Sequence, residues 1–221
     1  MVQTPLHTRL TAEFVGTLGL LMAVIGSGIM AATLSPENIG VALLANAIAT
    51  GCALYVLITI LGPISGAHFN PAVTLAFALR QDIPPRDAVL YIATQIAGGI
   101  AGVWLAHAMF DQPILQTATT SRTGPGQWIA EVTATIGLIL TILGGLRHAP
   151  AQVPALVGLY ITGAYWFTAS TSFANPAVTL ARTLSDTFAG IAPINAPAFI
   201  LAQIAGAVLA VLIGHRLFGK P

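Results

Sequence analysis

Long stretches without a charged residue alternate with short charged segments along this chain. Asp, Glu, Lys and Arg are absent from residues 14–36, 38–79, 88–110, 148–181 and 187–215. A helix needs roughly 20 apolar residues to cross a bilayer, and these stretches contain such spans. A further apolar run, 132–146, becomes long enough when residues 127–131 are added. The pattern predicts an all-α membrane protein whose helices cross the bilayer several times.

Two of these stretches, 38–79 and 148–181, do not divide into whole spans. The first is too long for one helix and awkward for two, and it is interrupted at Pro63 and Gly66. The second has a Ser/Thr-rich break ahead of Pro176. A half-length helix in a membrane is tolerated only where it packs within protein or lines a cavity. The predicted full spans are 10–32, 39–61, 87–110, 127–146, 153–169 and 195–217, with half-helices near 71–79 and from Pro176.

The two halves of the chain repeat one another. Residues 70–76 and 175–181 both read Asn-Pro-Ala-Val-Thr-Leu-Ala. Outside this motif, Glu13, Thr17, Gly19 and Gly26 match Glu131, Thr135, Gly137 and Gly144. Each repeat, 9–110 and 127–217, holds an odd number of full spans, so the second lies upside-down relative to the first. Inverted repeats with paired broken helices indicate a solute pathway at the midplane, and we expect residues 1–221 to form one channel domain.

The basic residues predict the orientation of the chain in the membrane. Arg9, Arg80, Arg86, Arg147, Arg216 and Lys220 fall on one side, and Arg122 and Arg182 fall on the other. Because basic residues concentrate in cytoplasmic segments, we expect both termini in the cytoplasm and the chain in the plasma (inner) membrane.

Composition narrows the function classes. Of 221 residues, 56% are hydrophobic and only 7% are charged, against about 25% charged in soluble domains, which excludes a soluble enzyme. The net charge of +1 gives no reason to expect a nucleic-acid partner. A single cysteine, Cys52, excludes an intrachain disulfide and a multi-cysteine metal site. A membrane-embedded enzyme would need clustered ligands or a nucleophile–base pair, and we expect no catalysis, no metal and no cofactor.

The repeated motif has a physical rationale of its own. Asn is a favoured N-cap residue and Pro is favoured at the first position of a helix. If the side-chain oxygens of Asn70 and Asn175 cap their half-helices, their NH₂ groups remain free to donate to a solute. The facing helix N-termini would add about half a positive charge each at the pore centre, which disfavours cations there.

The motif pair, the lead-in Ser65–Phe69 and the intramembrane glutamates resemble the aquaporin, or major intrinsic protein, family. The resemblance covers the whole chain and implies an inverted repeat of six transmembrane helices and two re-entrant half-helices, assembled as a homotetramer. It places the motif residues Asn70, Pro71, Ala72, Asn175, Pro176 and Ala177 at the pore centre. It implies a ladder of pore carbonyls from Gly66, Ala67 and His68 and from Ser172, Phe173 and Ala174.

The resemblance also bears on the roles of the two intramembrane glutamates and of His68. A carboxylate within a membrane span suggests an ion or proton pathway by default. In the family the equivalents of Glu13 and Glu131 instead brace the lead-in loops, and their occurrence once per repeat favours this role. His68 is either a gate or pH sensor, or a packed ring that contributes only its carbonyl.

The chain departs from the family at the narrow filter. Most members have Arg three residues after the second motif Asn, where this chain has Val178. Counting from the motifs places the other filter positions at Thr50, Gly163 and Ser172. These side chains are small and uncharged, so we expect a wide, permissive filter.

This reading predicts a passive channel for water, glycerol, urea and the neutral hydroxides of arsenic or antimony. The chain is similar to a subgroup of bacterial channels that lack the filter arginine and are associated with arsenic resistance. The alternatives are an ordinary water-selective aquaporin and a non-conducting membrane scaffold with the same fold.

Arg182 lies one helical turn beyond Val178 and has two interpretations. Helical side chains lean toward the N-terminus, so its charge could reach the outer mouth and partly replace the missing arginine. The interpretation we favour from sequence is a pair with Asp186, or a contact with the carbonyls that end the half-helix.

Overall fold

Residues 4–219 are described by the computed structural model and form helices joined by loops, with no strand among them. The long helices in this range are α1 (Leu6–Leu34), α2 (Ile39–Ser65), α4 (Pro85–Met109), α5 (Pro125–His148), α6 (Val153–Phe167) and α8 (Ala196–Phe218). The half-helices are α3 (Pro71–Leu79) and α7 (Pro176–Arg182), and 3₁₀ turns at Pro150–Gln152 and Pro193–Asn195 precede α6 and α8. Lys220, which the sequence places on the basic side, lies outside the described residues.

Most of the long helices are apolar enough and long enough to cross a bilayer. Within residues 4–219, α1, α2, α4, α5 and α8 meet this description, with mean hydropathies of 1.6 to 2.3 over their best windows. Helix α6 has 15 residues, which is about 22 Å at 1.5 Å per residue. The segment that follows α6 continues into the protein interior and leads to α7.

Helix α2 runs past the predicted span 39–61 and through Pro63. Pro63 lies within the helix, which runs to Ser65 and ends at Gly66 with a left-handed φ of +88°. A proline removes one backbone hydrogen bond, to the carbonyl four residues earlier, and membrane helices tolerate this loss. The αL glycine, a common helix terminator, sets the boundary instead.

The helices pack in the same way in each half of the chain. Helix α1 packs against α2 and α4, and α5 packs against α6 and α8 in the equivalent arrangement. The halves meet where α2 packs on α6 and where α3 and α7 touch. A Cβ on Gly98 would lie 2.4 Å from the carbonyl oxygen of Phe14, and one on Gly206 would lie 2.7 Å from that of Val132. Glycine at these equivalent positions therefore lets α4 approach α1, and α8 approach α5, backbone to backbone.

Candidate functional site

The motif asparagines cap the half-helices that they begin. The Oδ1 atom of Asn70 accepts from the amide of Ala72 at 2.8 Å. The Oδ1 atom of Asn175 accepts from the amides of Ala177 and Val178 at 2.9 and 3.2 Å. Both asparagines are 4% exposed, so these bonds satisfy donors that water would reach only through the pore.

The amide nitrogens of the same asparagines join the two halves of the chain. Asn70 Nδ2 donates to the carbonyl of Ala174 at 2.7 Å, and Asn175 Nδ2 donates to the carbonyl of Phe69 at 2.9 Å. From sequence we expect both NH₂ groups to be free to donate to a solute, but in the structure a protein carbonyl accepts from each. An amide nitrogen carries two N–H donors, so one N–H per asparagine remains for a solute.

A buried carboxylate holds the first lead-in loop. Glu13 is fully buried in α1, and its Oε1 accepts from the His68 amide at 3.0 Å and the Ser65 hydroxyl at 2.6 Å. Its Oε2 accepts from the Phe69 amide at 2.7 Å and from Gln95 Nε2 at 2.7 Å. These donors supply enough hydrogen bonds to offset the burial of a carboxylate.

The second repeat reproduces this network around Glu131. Its carboxylate oxygens accept from the amides of Phe173 and Ala174, both at 2.9 Å. Gln203 Nε2 donates to Glu131 Oε2 at 2.6 Å and to the Thr179 hydroxyl at 2.8 Å. In the first repeat Gln95 spans Glu13 and Thr74 in the same way, at 2.7 and 2.9 Å. Each carboxylate thereby connects a long helix, a lead-in loop and the following pair of helices.

The lead-in loops have a left-handed backbone at matching positions. Counted back from Asn70, the residues one, three and four places earlier have φ of +47°, +51° and +88°. Counted back from Asn175, the same places have φ of +46°, +50° and +62°. Of these residues only Gly66 is a glycine, and a non-glycine residue in this region costs on the order of 1–3 kcal/mol. The glutamate bonds at the adjacent amides offset that strain and leave the loop carbonyls to face other partners.

A cavity of about 170 Å³ runs past these loops and the asparagines. The lead-in residues Gly66, Ala67, His68, Phe69, Ser172 and Phe173 line it, together with Asn70 and Asn175. Ala174 is fully buried and is not among the lining residues; its carbonyl accepts from Asn70. Most of the remaining wall is aliphatic, from Leu20, Val24, Leu54, Val73, Leu138, Val157 and Ile161. The cavity is thus mostly apolar, and many of its polar groups come from the lead-in loops and the two asparagines.

His68 packs its ring into the wall of this passage. Its Nδ1 lies 3.1 Å from the Thr74 hydroxyl. Its ring centroid is 4.6 Å from that of Phe77 and 5.4 Å from that of Tyr91. These contacts fix the His68 ring beside the cavity.

The expected filter residues are only partly brought together. Thr50, Ser172 and Val178 line the cavity, but Gly163 is exposed on the outer face of α6. The structure does not bring Gly163 to this cavity; Tyr165, about 200° further around the helix, lines it instead. The hydroxyls of Tyr165 and Thr50 are 3.2 Å apart. Counting residues from the motif ignores the rotation of α6, and only the phase of its apolar face could have indicated Tyr165.

Arg182 lines the cavity, which agrees with the first of its two interpretations from sequence and brings a charge beside the uncharged filter positions. The side chain is 2% exposed, its Nε donates to the carbonyl of Ala189, and its guanidinium carbon lies 3.5 Å from the centroid of Phe173. Asp186 does not pair with it, because the carboxylate accepts from the amide and hydroxyl of Thr119, both at 2.9 Å. These bonds lower the pKa of the Asp186 carboxyl. We call Thr50, Tyr165, Phe173, Val178 and Arg182 the mouth cluster.

Comparisons with known proteins agree on one family. Residues 1–166 match the sequence model of the family described as "Major intrinsic protein". Aquaglyceroporin AqpS of Rhizobium meliloti (strain 1021) is 55% identical over 213 residues, which are 96% of this chain and 91% of that protein. Aquaporin AqpM of Methanothermobacter thermautotrophicus is 34% identical over 241 residues, covering 94% of this chain and 96% of that protein.

A solved structure supports the same fold. The aquaglyceroporin from Plasmodium falciparum superposes on this chain with a TM-score of 0.77. The two sequences are 19% identical, and the match covers 95% of each chain. At that identity the likeness shows a shared fold.

The loop bracing makes a prediction for stability. Glu131→Gln leaves one carbonyl oxygen for three donors and turns an NH₂ group toward backbone N–H groups. We expect it to lower the free energy of unfolding by about 1–3 kcal/mol, the cost of an orphaned buried donor, and thermal unfolding in detergent measures the loss. Glu37→Gln, on an exposed residue, is the matched control. An unchanged melting temperature for Glu131→Gln would show that the carboxylate does not hold the loop.

Proposed function

Because the chain belongs to the major intrinsic protein family, we propose that it is a passive transmembrane channel for water, glycerol and other small neutral solutes. Members of this family are channels and not enzymes. The fold is the one that the sequence predicts: within residues 4–219, six long helices and two half-helices form an inverted repeat with the aquaporin fold. The function of a channel requires no cofactor.

The observation that carries the proposal is the pair of motif asparagines beside the cavity. Each retains one N–H after bonding to the opposite loop, so a solute oxygen passing between them meets donors from both halves. The carbonyls of Gly66, Ala67 and His68 and of Ser172 and Phe173 supply acceptors along the same wall. The apolar opposite wall offers a solute no such partners, so polar molecules would follow one track.

Glycerol, urea and uncharged metalloid hydroxides such as arsenite are the proposed larger substrates. The supporting features are the small side chains of Thr50, Ser172 and Val178 on the cavity wall and the similarity to an aquaglyceroporin. A specific observation favours a second candidate, a water-selective channel: Tyr165 and Phe173 are aromatic rings in the mouth cluster and can narrow it.

Assembly and location form part of the proposal. The apolar helices fit an integral membrane protein. We propose a homotetramer in the inner membrane with both termini in the cytoplasm, on the family resemblance and the distribution of basic residues. This orientation puts Arg122 and Arg182 on the outer side.

Stopped-flow light scattering on proteoliposomes tests the proposal. We expect osmotic water flux well above that of empty vesicles, and faster entry of glycerol and arsenite. Fast water entry with excluded glycerol would replace the proposal by the water-selective candidate. Flux no greater than that of empty vesicles would leave a non-conducting scaffold with this fold.

The corrected filter makes a separate prediction. Tyr165→Ala removes a ring from the mouth cluster, so we expect glycerol entry to rise relative to water flux by about threefold or more. Gly163→Ala is the matched control, since its added Cβ would meet only Phe167 carbons at 3.8 to 4.0 Å on the outer face. An altered glycerol-to-water ratio for Gly163→Ala, with none for Tyr165→Ala, would restore the filter that the sequence predicts.

A further inference from the structure

Two arginines meet at one phenylalanine of the mouth cluster. The guanidinium carbon of Arg182 lies 3.5 Å from the centroid of Phe173, and that of Arg122 lies 5.4 Å from it. Of the two, Arg182 lines the cavity. The ring of Phe173 thus stabilises a cation beside the passage through its negative face.

The segment before α8 holds both guanidinium groups in place. Arg122 Nε donates to the carbonyl of Gly190 at 2.8 Å, and its Nη2 lies 3.4 Å from that of Phe188. Arg182 Nε donates to the carbonyl of Ala189. Three successive carbonyls therefore position the arginines through neutral acceptors.

Within residues 4–219, neither arginine forms an ion pair with a carboxylate. The ion pairs of residues 4–219 join Arg9 to Asp87 and Arg80 to Asp82, far along the chain from the mouth cluster. Asp186, the nearest acid in sequence to Arg182, is bonded to Thr119. Glu131 attracts both arginines from beyond ion-pair distance, and the two arginines repel each other. Because no carboxylate is paired with Arg182, its charge acts on the cavity, where low surrounding polarity strengthens its field.

The guanidinium of Arg182 also has donors to spare. A guanidinium carries five N–H groups, and within the described residues Arg182 donates only through Nε. The N–H groups on its terminal nitrogens have no protein acceptor there, and the residue faces the cavity. They are available to the oxygen of a passing solute.

We infer that Arg182 is the charge-selecting residue of this channel, and that it performs from the last turn of α7 what Val178 cannot. The position i+4 lies on the same face of the helix, and the side chain leans back toward the N-terminus, which brings its charge over Val178. Arg122 is a positioning residue, because it orders the segment that carries Ala189. The inference rests on the proposed conduction of small neutral solutes and names what excludes cations from that path.

Urea and guanidinium ion provide a direct test, because they have nearly the same shape and differ in charge. Entry of each into proteoliposomes is measured by light scattering, and proton entry is followed with a trapped pH dye. For Arg182→Gln we expect the ratio of urea to guanidinium permeability to fall at least tenfold. Proton entry relative to water flux should rise in the same variant.

Further variants separate charge from structure. Arg182→Lys keeps the charge and should keep the permeability ratio, and the double variant V178R/R182Q moves the charge back one turn and should restore it. Arg86→Gln, at an exposed arginine away from the cavity, is the control. If Arg182→Gln does not fold, Arg182→Lys decides the question. Exclusion of guanidinium by Arg182→Lys would support the inference, and entry of guanidinium would overturn it.

The failure of the inference and that of the proposed function are distinct. If the unmodified protein passes urea or water and Arg182→Gln changes neither the guanidinium nor the proton ratio, Arg182 does not select charge. If the unmodified protein passes no solute and no water, the proposed function fails first. If it admits guanidinium as fast as urea, the inference is wrong while conduction stands.

Discussion

The hydrogen bonds from backbone amides to two buried glutamates are the interaction on which the rest of the structure depends. A chain that leaves its helix inside a membrane has no water to satisfy its N–H groups, so irregular segments survive there only with protein partners. Glu13 and Glu131 accept the amides just ahead of each motif asparagine. Because the glutamates bind the loop amides, the loop carbonyls remain free to accept other donors. The carbonyls of Phe69 and Ala174 accept from the asparagine of the opposite half, which brings the starts of α3 and α7 together.

This arrangement divides selectivity between two places. At the centre, the spare N–H groups of Asn70 and Asn175 and the half-helix N-termini disfavour cations without a formal charge. At the mouth cluster, we propose that the aromatic rings limit solute size and that the guanidinium of Arg182 supplies the charge. The family position that usually carries arginine is occupied by Val178, which contributes only its bulk. An arginine nonetheless lies near this position, because the carbonyl of Ala189 and the ring of Phe173 hold Arg182 there.

The sequence predicts much of the fold because its strongest signals are local. Asn-Pro at a helix start fixes the beginning of α3 and α7, and the charge-free runs fix the long helices. The predicted span 39–61 stops short of Ser65, where α2 ends, since one missing hydrogen bond at Pro63 does not outweigh the αL stop at Gly66. Gly163 lies away from the cavity, which the sequence does not reveal because a count along the chain carries no information on the rotation of α6. The partner of Arg182 depends on how the segment before α8 folds back, which no local pattern near α7 reveals.

The most direct measurement of the central claim is amide hydrogen exchange in the unmodified protein. Phe69 and Ala174 lie in irregular loops outside any helix, so without the carboxylates we expect their amides to exchange much faster than helix amides, toward the rate of the exposed loop residue Leu115. We predict that the amides of His68, Phe69, Phe173 and Ala174 exchange far more slowly, at rates comparable with amides in the buried helices. Exposing these amides to water requires a hydrogen bond to Glu13 or Glu131 to break. Exchange of these amides at the rate of Leu115 would contradict the prediction.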